Sequence, residues 1–321
     1  MDIRVFVFFT LVSKTIRTFL PVKMPFYIRH LPGTVTHIVD ENSIPPNHAL
    51  FNPSYAEPII YIRGTRHTAL DETNFAILFN EHTKTHSHVE TPMEKLAPNV
   101  NLFKGMEDLR ICWFDDRLWF AGTTTHATNR MTNELIVGHF DKDLKEVERI
   151  SAVDIGSLPV KNVCPFVWQD KLHLLDAYKK KIYQVYDDTD KETGTWKGFK
   201  VTPRRTLDPA MGISTEDFRG STSPIHLHGN TWGCVVHDII FNDNTKLVTR
   251  LSYIHHWMEF DIELGKITFV SSPFWIARWG IEYVSGIDRK AGSDEISLYV
   301  GVADRLPILM KTTLHDLRIG K

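Results

Sequence analysis

Glu107-Asp108-Leu109-Arg110-Ile111-Cys112-Trp113-Phe114-Asp115-Asp116-Arg117-Leu118-Trp119-Phe120 and Lys161-Asn162-Val163-Cys164-Pro165-Phe166-Val167-Trp168-Gln169-Asp170-Lys171-Leu172-His173-Leu174 superpose on a shift of 54 residues. Each is a polar pair, an apolar run, two turn residues and a second apolar run. Two residues is the commonest connection in a β-hairpin, so both segments read as hairpins of one repeating unit.

The same outline recurs from Phe218-Arg219-Gly220-Ser221-Thr222 through a turn near His228-Gly229-Asn230 to Thr231–Asp238. It recurs again at Gly280–Ile287, with a longer turn through Asp288 to Asp294 and a return over Glu295–Asp304. An upstream copy starts at Phe51-Asn52-Pro53-Ser54, with a short first strand, and continues over Ile59–Arg63. Anchors at 52, 108, 162, 219 and 282 are 56, 54, 57 and 63 residues apart, a period that suits one four-stranded blade with its loops. The expected fold is all-β, a five-bladed β-propeller with four antiparallel strands per blade; a β-sandwich pair with coincidental spacing is the alternative. Residues 50–321 form the propeller, and residues 1–49 are an N-terminal extension packing on it or completing it. Glu134–Phe140, Trp257–Asp261 and Lys266–Val270 are candidate outer strands.

Composition agrees with a globular chain: of 321 residues 42% are hydrophobic and 24% charged, which excludes disorder and collagen. A net charge of −2 leaves no electrostatic footprint for a polyanion, so nucleic acid is not an expected partner. Cys112, Cys164 and Cys234 are an odd set without CxxC spacing; they indicate reduced, buried thiols on three blades and a cytoplasmic location. Val5–Val12 is an apolar run too short to span a bilayer, and no small-residue cleavage site follows it. It reads as a terminal strand or loose extension, with a signal or membrane anchor as the lesser alternative.

In a hairpin, residues entering the first strand lie beside those leaving the second. The repeat therefore gathers polar residues at one mouth of the central channel: Glu107, Asp108 and Arg110 with Thr125 and His126; Lys161 and Asn162 with Asp176 and Tyr178; Arg219 with His237 and Asp238; Glu282 with Asp304 and Arg305; and Asn52, Arg63 and Arg66. Carboxylates, guanidinium forks and amides together suit polyhydroxylated ligands, whose hydroxyls both donate and accept. Trp168, Trp257, Phe274, Trp275 and Trp279 are either flat faces for sugar rings or packing between blades, and packing is the commoner fate. The equivalent polar residues differ from blade to blade, which points to one asymmetric site and not to the repeated sites of a lectin.

At these residues the chain resembles the five-bladed β-propeller carbohydrate enzymes, in particular the glycosidase-like branch with the mannoside phosphorylases and β-mannosyltransferases. The matching segments are Phe51-Asn52-Pro53, Glu107-Asp108-Leu109-Arg110, Lys161-Asn162 with Pro165-Phe166, Phe218–Thr222 and Val300-Gly301-Val302-Ala303-Asp304-Arg305. The resemblance implies transfer of a glycosyl, mannosyl-like group from a sugar phosphate or nucleotide sugar to a glycan or phosphate acceptor, with no cofactor. A glycoside hydrolase and a non-catalytic glycan-binding propeller are the alternatives. Asp108 is the candidate general acid or base, with Glu282 and Asp304 completing a catalytic cup. Asn52, Arg63, Arg110, Lys161, Asn162, Arg219, His237, Asp238 and Arg305 are the candidate substrate-binding residues.

No metal site is expected. His82, His86 and His88 fall in a polar loop without ligand spacing, and the Asp-x-Asp pattern at Asp187–Asp190 reads as an exposed turn. Signatures of P-loop and α/β-hydrolase chemistry are absent from the sequence.

Overall fold

Asp115, Asp116, Gln169 and Asp170, the four residues expected in two-residue turns, have φ between 51° and 54°. Paired positive φ values make the mirror-image turn whose twist matches that of the strands it joins. The computed structural model describes residues 28–39, 48–67, 72–89, 105–125, 133–156, 161–215, 217–242, 250–277 and 281–319.

Blade one is the antiparallel meander His48–Ala56, Ile59–His67, Glu72–Asn80, Thr85–Val89. Blade two is Glu107–Phe114, Arg117–Thr125, Asn133–Phe140, Val147–Val153. Blade three is Cys164–Trp168, Lys171–Asp176, Lys181–Thr189, Trp196–Thr206. Blade five takes three strands from the C-terminal part, Glu282–Arg289, Glu295–Val302 and Leu306–Thr313, and its outermost strand, Thr34–His37, from the N-terminal part. The ring is thus latched by pairing Thr34–His37 with Leu306–Thr313.

Blade four departs from the expected four strands. Its innermost strand is broken into Arg219–Gly220 and Ile225–His228, both paired with Thr231–Asn242. Pro224 lies in the gap, and a proline offers no N–H to a ladder. Farther out, the long strand Arg250–Asp261 pairs with Lys266–Val270 along one half and with Phe274–Trp275 at His255. Arg29–His30 then joins Phe274–Trp275, and Asp208–Pro209 joins Lys266–Val270, which makes an eight-stranded sheet. Blade one also corrects an expectation, since its first strand is nine residues long and begins at His48.

Five apolar clusters fill the seams between successive blades among the described residues. Tyr61, Leu109 and Phe120 pack between blades one and two, and Trp119, Leu174 and Phe199 between two and three. Phe166, Cys234 and Phe260 lie between three and four, Trp257, Val284 and Leu298 between four and five, and Tyr55 with Tyr299 between five and one. Alternation supplies these faces, because every second residue of a strand points to the same side. Fully burying a large apolar side chain contributes about 1.5–3 kcal/mol, so the seams hold the ring. Hydrogen bonds stitch the inner edges: Ser285 Oγ donates to Pro53 O at 2.8 Å, and Ile111 N to Ser54 Oγ at 3.1 Å.

The three thiols are free and lie on blades two, three and four, and burial pushes Cys112 and Cys164 up to about 12. Among the described residues no helix is long and apolar enough to cross a membrane. The apolar run Val5–Val12, His126 and Trp279 lie outside the described residues.

Candidate active site

The mouth is built by a backbone feature that repeats with the blades. Asn52, Asp108 and Asn162 have φ of 49°, 52° and 63°: Asn52 lies within the innermost strand of blade one, Asp108 at the start of that of blade two and Asn162 just before that of blade three. Asn and Asp tolerate the left-handed region better than other side-chain-bearing residues. In blades one and two the register slips there, between Phe51 and Ser54 and between Glu107 and Arg110. Such a bulge redirects side chains that strict alternation would place.

Asp108 is the consequence. Its Oδ1 accepts from Asn52 Nδ2 at 2.7 Å and from Arg63 Nη1 at 2.9 Å. Its Oδ2 has no hydrogen-bond partner among the described residues, and 19% of the side chain remains open to solvent. Burial alone would raise this carboxyl; the charges of Arg63 and Arg110 and the bonds from Asn52 and Arg63 outweigh it and hold the group well below the ordinary carboxylate range. Asp108 is therefore ionised and has one oxygen free to accept a hydrogen bond.

Arg63 is fixed from every side. Its Nε donates to Asn74 Oδ1 at 2.9 Å, Nη2 lies 3.8 Å from Glu107 Oε2, and the guanidinium sits 4.9 Å from the centre of the Phe51 ring. Glu107 joins this cluster, as the sequence placed it, and the bulge between Glu107 and Arg110 lets Glu107 and Asp108 reach Arg63 together.

Two nominated residues stand elsewhere. Arg110 is fully buried: Nε donates to Ser221 O at 3.0 Å, Nη1 to the Asp108 carbonyl and Nη2 to the Tyr283 hydroxyl, with the guanidinium 4.8 Å from the Tyr283 ring centre. It does not reach a ligand, and it meets the Asp108 backbone in place of its carboxylate. Glu282 is also fully buried, with Oε2 accepting from Ile276 N at 2.8 Å and Oε1 from Ala277 N at 2.6 Å. It braces the backbone of 276–277 and is closed to substrate.

Asn162 accepts at Oδ1 from the Tyr283 hydroxyl at 2.7 Å. Lys161, Arg219, Asp304 and Arg305 are exposed, and the charges of Asp304 and Arg219 bear on the Tyr253 hydroxyl. His237 pairs with Arg219 in register but is buried; its Nδ1 shares a hydrogen bond with Ser221 Oγ at 2.8 Å. Burial, then His255, Arg110 and Arg219, keep its imidazole well below the usual value and so neutral at pH 7. Asp238 is half-buried on the opposite face, its Oδ1 accepting from Ile239 N at 2.6 Å; burial and Asp217 raise its carboxyl.

Tyr253 and Tyr283 were not nominated from the sequence. Tyr253 packs 5.1 Å from His237, and its hydroxyl is raised by burial and then by the charges of Asp304 and Asp108, against Arg219. It therefore lies among the groups of blades two, four and five. A tyrosine alternating with apolar strand residues carries no signal by itself; in both cases the clue was a polar tip facing the anchors of other blades. The aromatics that had been candidates for sugar stacking are mostly core: Trp257 and Phe274 are fully buried, and Trp168 sits at the turn end of blade three, away from the mouth. Trp275 is half-buried against His30, with ring centres 4.5 Å apart.

His86 and His88 lie in the outermost strand of blade one and not in a loop. Asp187, Asp188 and Asp190 pair with Arg149, Lys200 and Lys197 at 3.6, 2.8 and 2.6 Å, so each carboxylate of that pattern has a cation beside it.

No protein-family model matches the chain, and no curated protein matches it in sequence. Solved structures do match. MPT-1, a GDP-Man-dependent mannosyltransferase from Leishmania mexicana, superposes with a TM-score of 0.53 at 12% identity, over 83% of this chain and 85% of that one. MPT-4, a mannose phosphorylase from the same organism, gives 0.53 at 12% over 95% and 92%. The third is a structure from work on the GH130 family of mannoside phosphorylases, containing glycoside hydrolases that target β-1,2 mannosidic linkages in Candida mannan; it gives 0.55 at 13% over 94% and 98%. The chain has the fold of the glycosidase-like propellers. In this propeller the mouth built by Asn52, Arg63 and Asp108 lies where the innermost strand of blade one bulges beside the start of the innermost strand of blade two.

Proposed function

We propose that the protein transfers a glycosyl group, mannosyl-like in kind, from a sugar phosphate or nucleotide sugar to a glycan hydroxyl. The observation that carries this reading is the state of Asp108, ionised and with Oδ2 open to the mouth. A plain glycoside needs a protonated acid to release its alkoxide, whereas a phosphate or nucleotide leaving group departs as an anion without one. Asp108 suits the second situation. As an acceptor oxygen bonds to the anomeric carbon its proton becomes strongly acidic, and even a weak carboxylate base takes it late in the step.

Hydrolysis would ask for a second carboxylate across the sugar, roughly 5–9.5 Å from the first. Glu282 is occupied by two backbone N–H groups, which leaves the exposed Asp304. Arg219, Lys161 and Arg305 supply exposed cations for an anionic donor. The fold neighbours include a mannosyltransferase and a mannose phosphorylase, which supports the choice of sugar.

The test is incubation of the pure protein with mannose 1-phosphate or GDP-mannose and a mannose or mannobiose acceptor. Acceptor-dependent release of phosphate or GDP is the expected result. Release of free mannose from mannobiose in water alone would replace transfer by hydrolysis, and saturable binding without turnover would make the protein a glycan-binding propeller.

A further inference from the structure

The fully buried Arg110 guanidinium spans four blades: it starts on blade two, donates to Ser221 O of blade four and to Tyr283 of blade five, and Tyr283 in turn donates to Asn162 of blade three. No carboxylate pairs with Arg110 among the described residues. Buried charges are ordinarily paired, because an isolated one is costly, so this arrangement calls for a reason. Its third donor grips the carbonyl of Asp108, the residue whose positive φ aims the carboxylate into the mouth.

We infer that Arg110 is a positioning residue for Asp108, held by Tyr283 so that its guanidinium fixes the Asp108 peptide and thereby the direction of the carboxylate. The inference rests on the reading of Asp108 as the chemical residue. A left-handed residue departs from the extended backbone on either side of it, and although Asp tolerates that region better than most, its surroundings have to hold it there. The Asp108 carbonyl is where that constraint acts. The same cation helps Arg63 keep the carboxyl ionised, while Glu107 on its own strand, Tyr61 from blade one and Tyr253 across the mouth are the other titratable groups facing it.

The experiment uses Arg110→Met, Tyr283→Phe and Asp108→Asn in the full chain. Two readouts are followed: the carboxyl carbon NMR signal of labelled aspartate that Asp108→Asn removes, and turnover of mannose 1-phosphate with mannose. Arg110→Met replaces a buried cation by an apolar side chain of similar length, which removes the cost of burying the charge but leaves the Ser221 and Asp108 carbonyls without that donor. It is expected to move the Asp108 titration midpoint upward and to lower kcat by about 10²-fold with little change in KM, the scale of a misplaced reacting group. Tyr283→Phe removes one hydroxyl and is expected to shift both in the same direction by less; it carries the test if Arg110→Met does not fold. A lowered melting temperature with an unmoved midpoint in both variants would reduce Arg110 to a structural brace and overturn the inference. Full turnover in Asp108→Asn would instead remove the functional reading beneath it, while the NMR midpoint still reports on Arg110.

Discussion

Arg63 Nη1 lies 2.9 Å from Asp108 Oδ1, an ion pair that joins the second strand of blade one to the first of blade two at the lip of the channel. It accounts for two properties at once: the seam between these blades is closed by a charge pair at the mouth, and the nominated carboxylate is kept ionised. Partial solvent access separates it from a merely structural bridge, since Oδ2 is left for something that comes from outside.

Asp108→Asn is therefore expected to fold and to lose turnover. The amide oxygen still accepts from Asn52 and Arg63, but it cannot take a proton, and a positioned general base contributes about 10²–10⁴-fold. Steady-state turnover beside a far-ultraviolet circular dichroism spectrum checks this. Near-normal turnover would pass the role to Asp304.

Acid stability follows from the same pair. The folded carboxyl lies below its unfolded value, so its contribution is fully present above about pH 4 and fades as pH falls toward the folded value. Urea midpoints measured from pH 6 to pH 2 should fall for the native protein, and Asp108→Asn should lack that share of the slope. Identical slopes would mean that the pair contributes nothing to stability.

Glu282→Gln should separate support from chemistry. Replacing the carboxylate weakens two bonds from backbone N–H groups in a dry site and should cost about 1–3 kcal/mol of stability. Turnover per folded molecule should stay within a few-fold. A stable variant without activity would return Glu282 to the reaction.

The repeat was legible because each hairpin is local: alternation, turn residues and a 54-residue shift sufficed to place the blades. Asn52 and Asp108 were also found from sequence as equivalent anchors of the repeat, and Arg63 at the end of the run Ile59–Arg63 that follows the first anchor. The pattern misled at Arg110, expected at the mouth, because the bulge between Glu107 and Arg110 adds a residue that no pattern of apolar and polar types records. Glu282 occupies an equivalent position but meets the backbone of 276–277, a contact invisible before the chain is folded. Thr34–His37 escaped as a strand because its partner lies some 270 residues away, as the 273-residue separation between Thr36 and Leu309 shows.

Removing residues 1–37 should unlatch the ring. Thr34–His37 covers the outer edge of Leu306–Thr313, and an uncovered edge strand pairs with other chains. Size-exclusion chromatography of the truncated protein should show association or loss of soluble material, and a monomer with an unchanged melting temperature would argue that the latch is dispensable.

Gly301→Ala tests whether the seam between blades five and one sets the geometry of the mouth. A methyl group at Gly301 would stand 2.6 Å from the Asn52 backbone nitrogen and would also meet Asn52 Oδ1, in the residue that donates to Asp108. A flexible side chain could swing aside, but a backbone nitrogen in a left-handed residue cannot, so blade five has to retreat from blade one. Forcing one methyl into such a packed contact typically costs about 1–3 kcal/mol. The displacement falls on Asn52 and loosens its 2.7 Å bond to Asp108, so turnover should drop by more than the lost stability explains. Urea unfolding and turnover measured on the same preparation distinguish the effects: a destabilised protein with native turnover would show that Asn52 is not needed to hold Asp108, whereas a loss of turnover in the folded fraction ties the blade seam to the carboxylate.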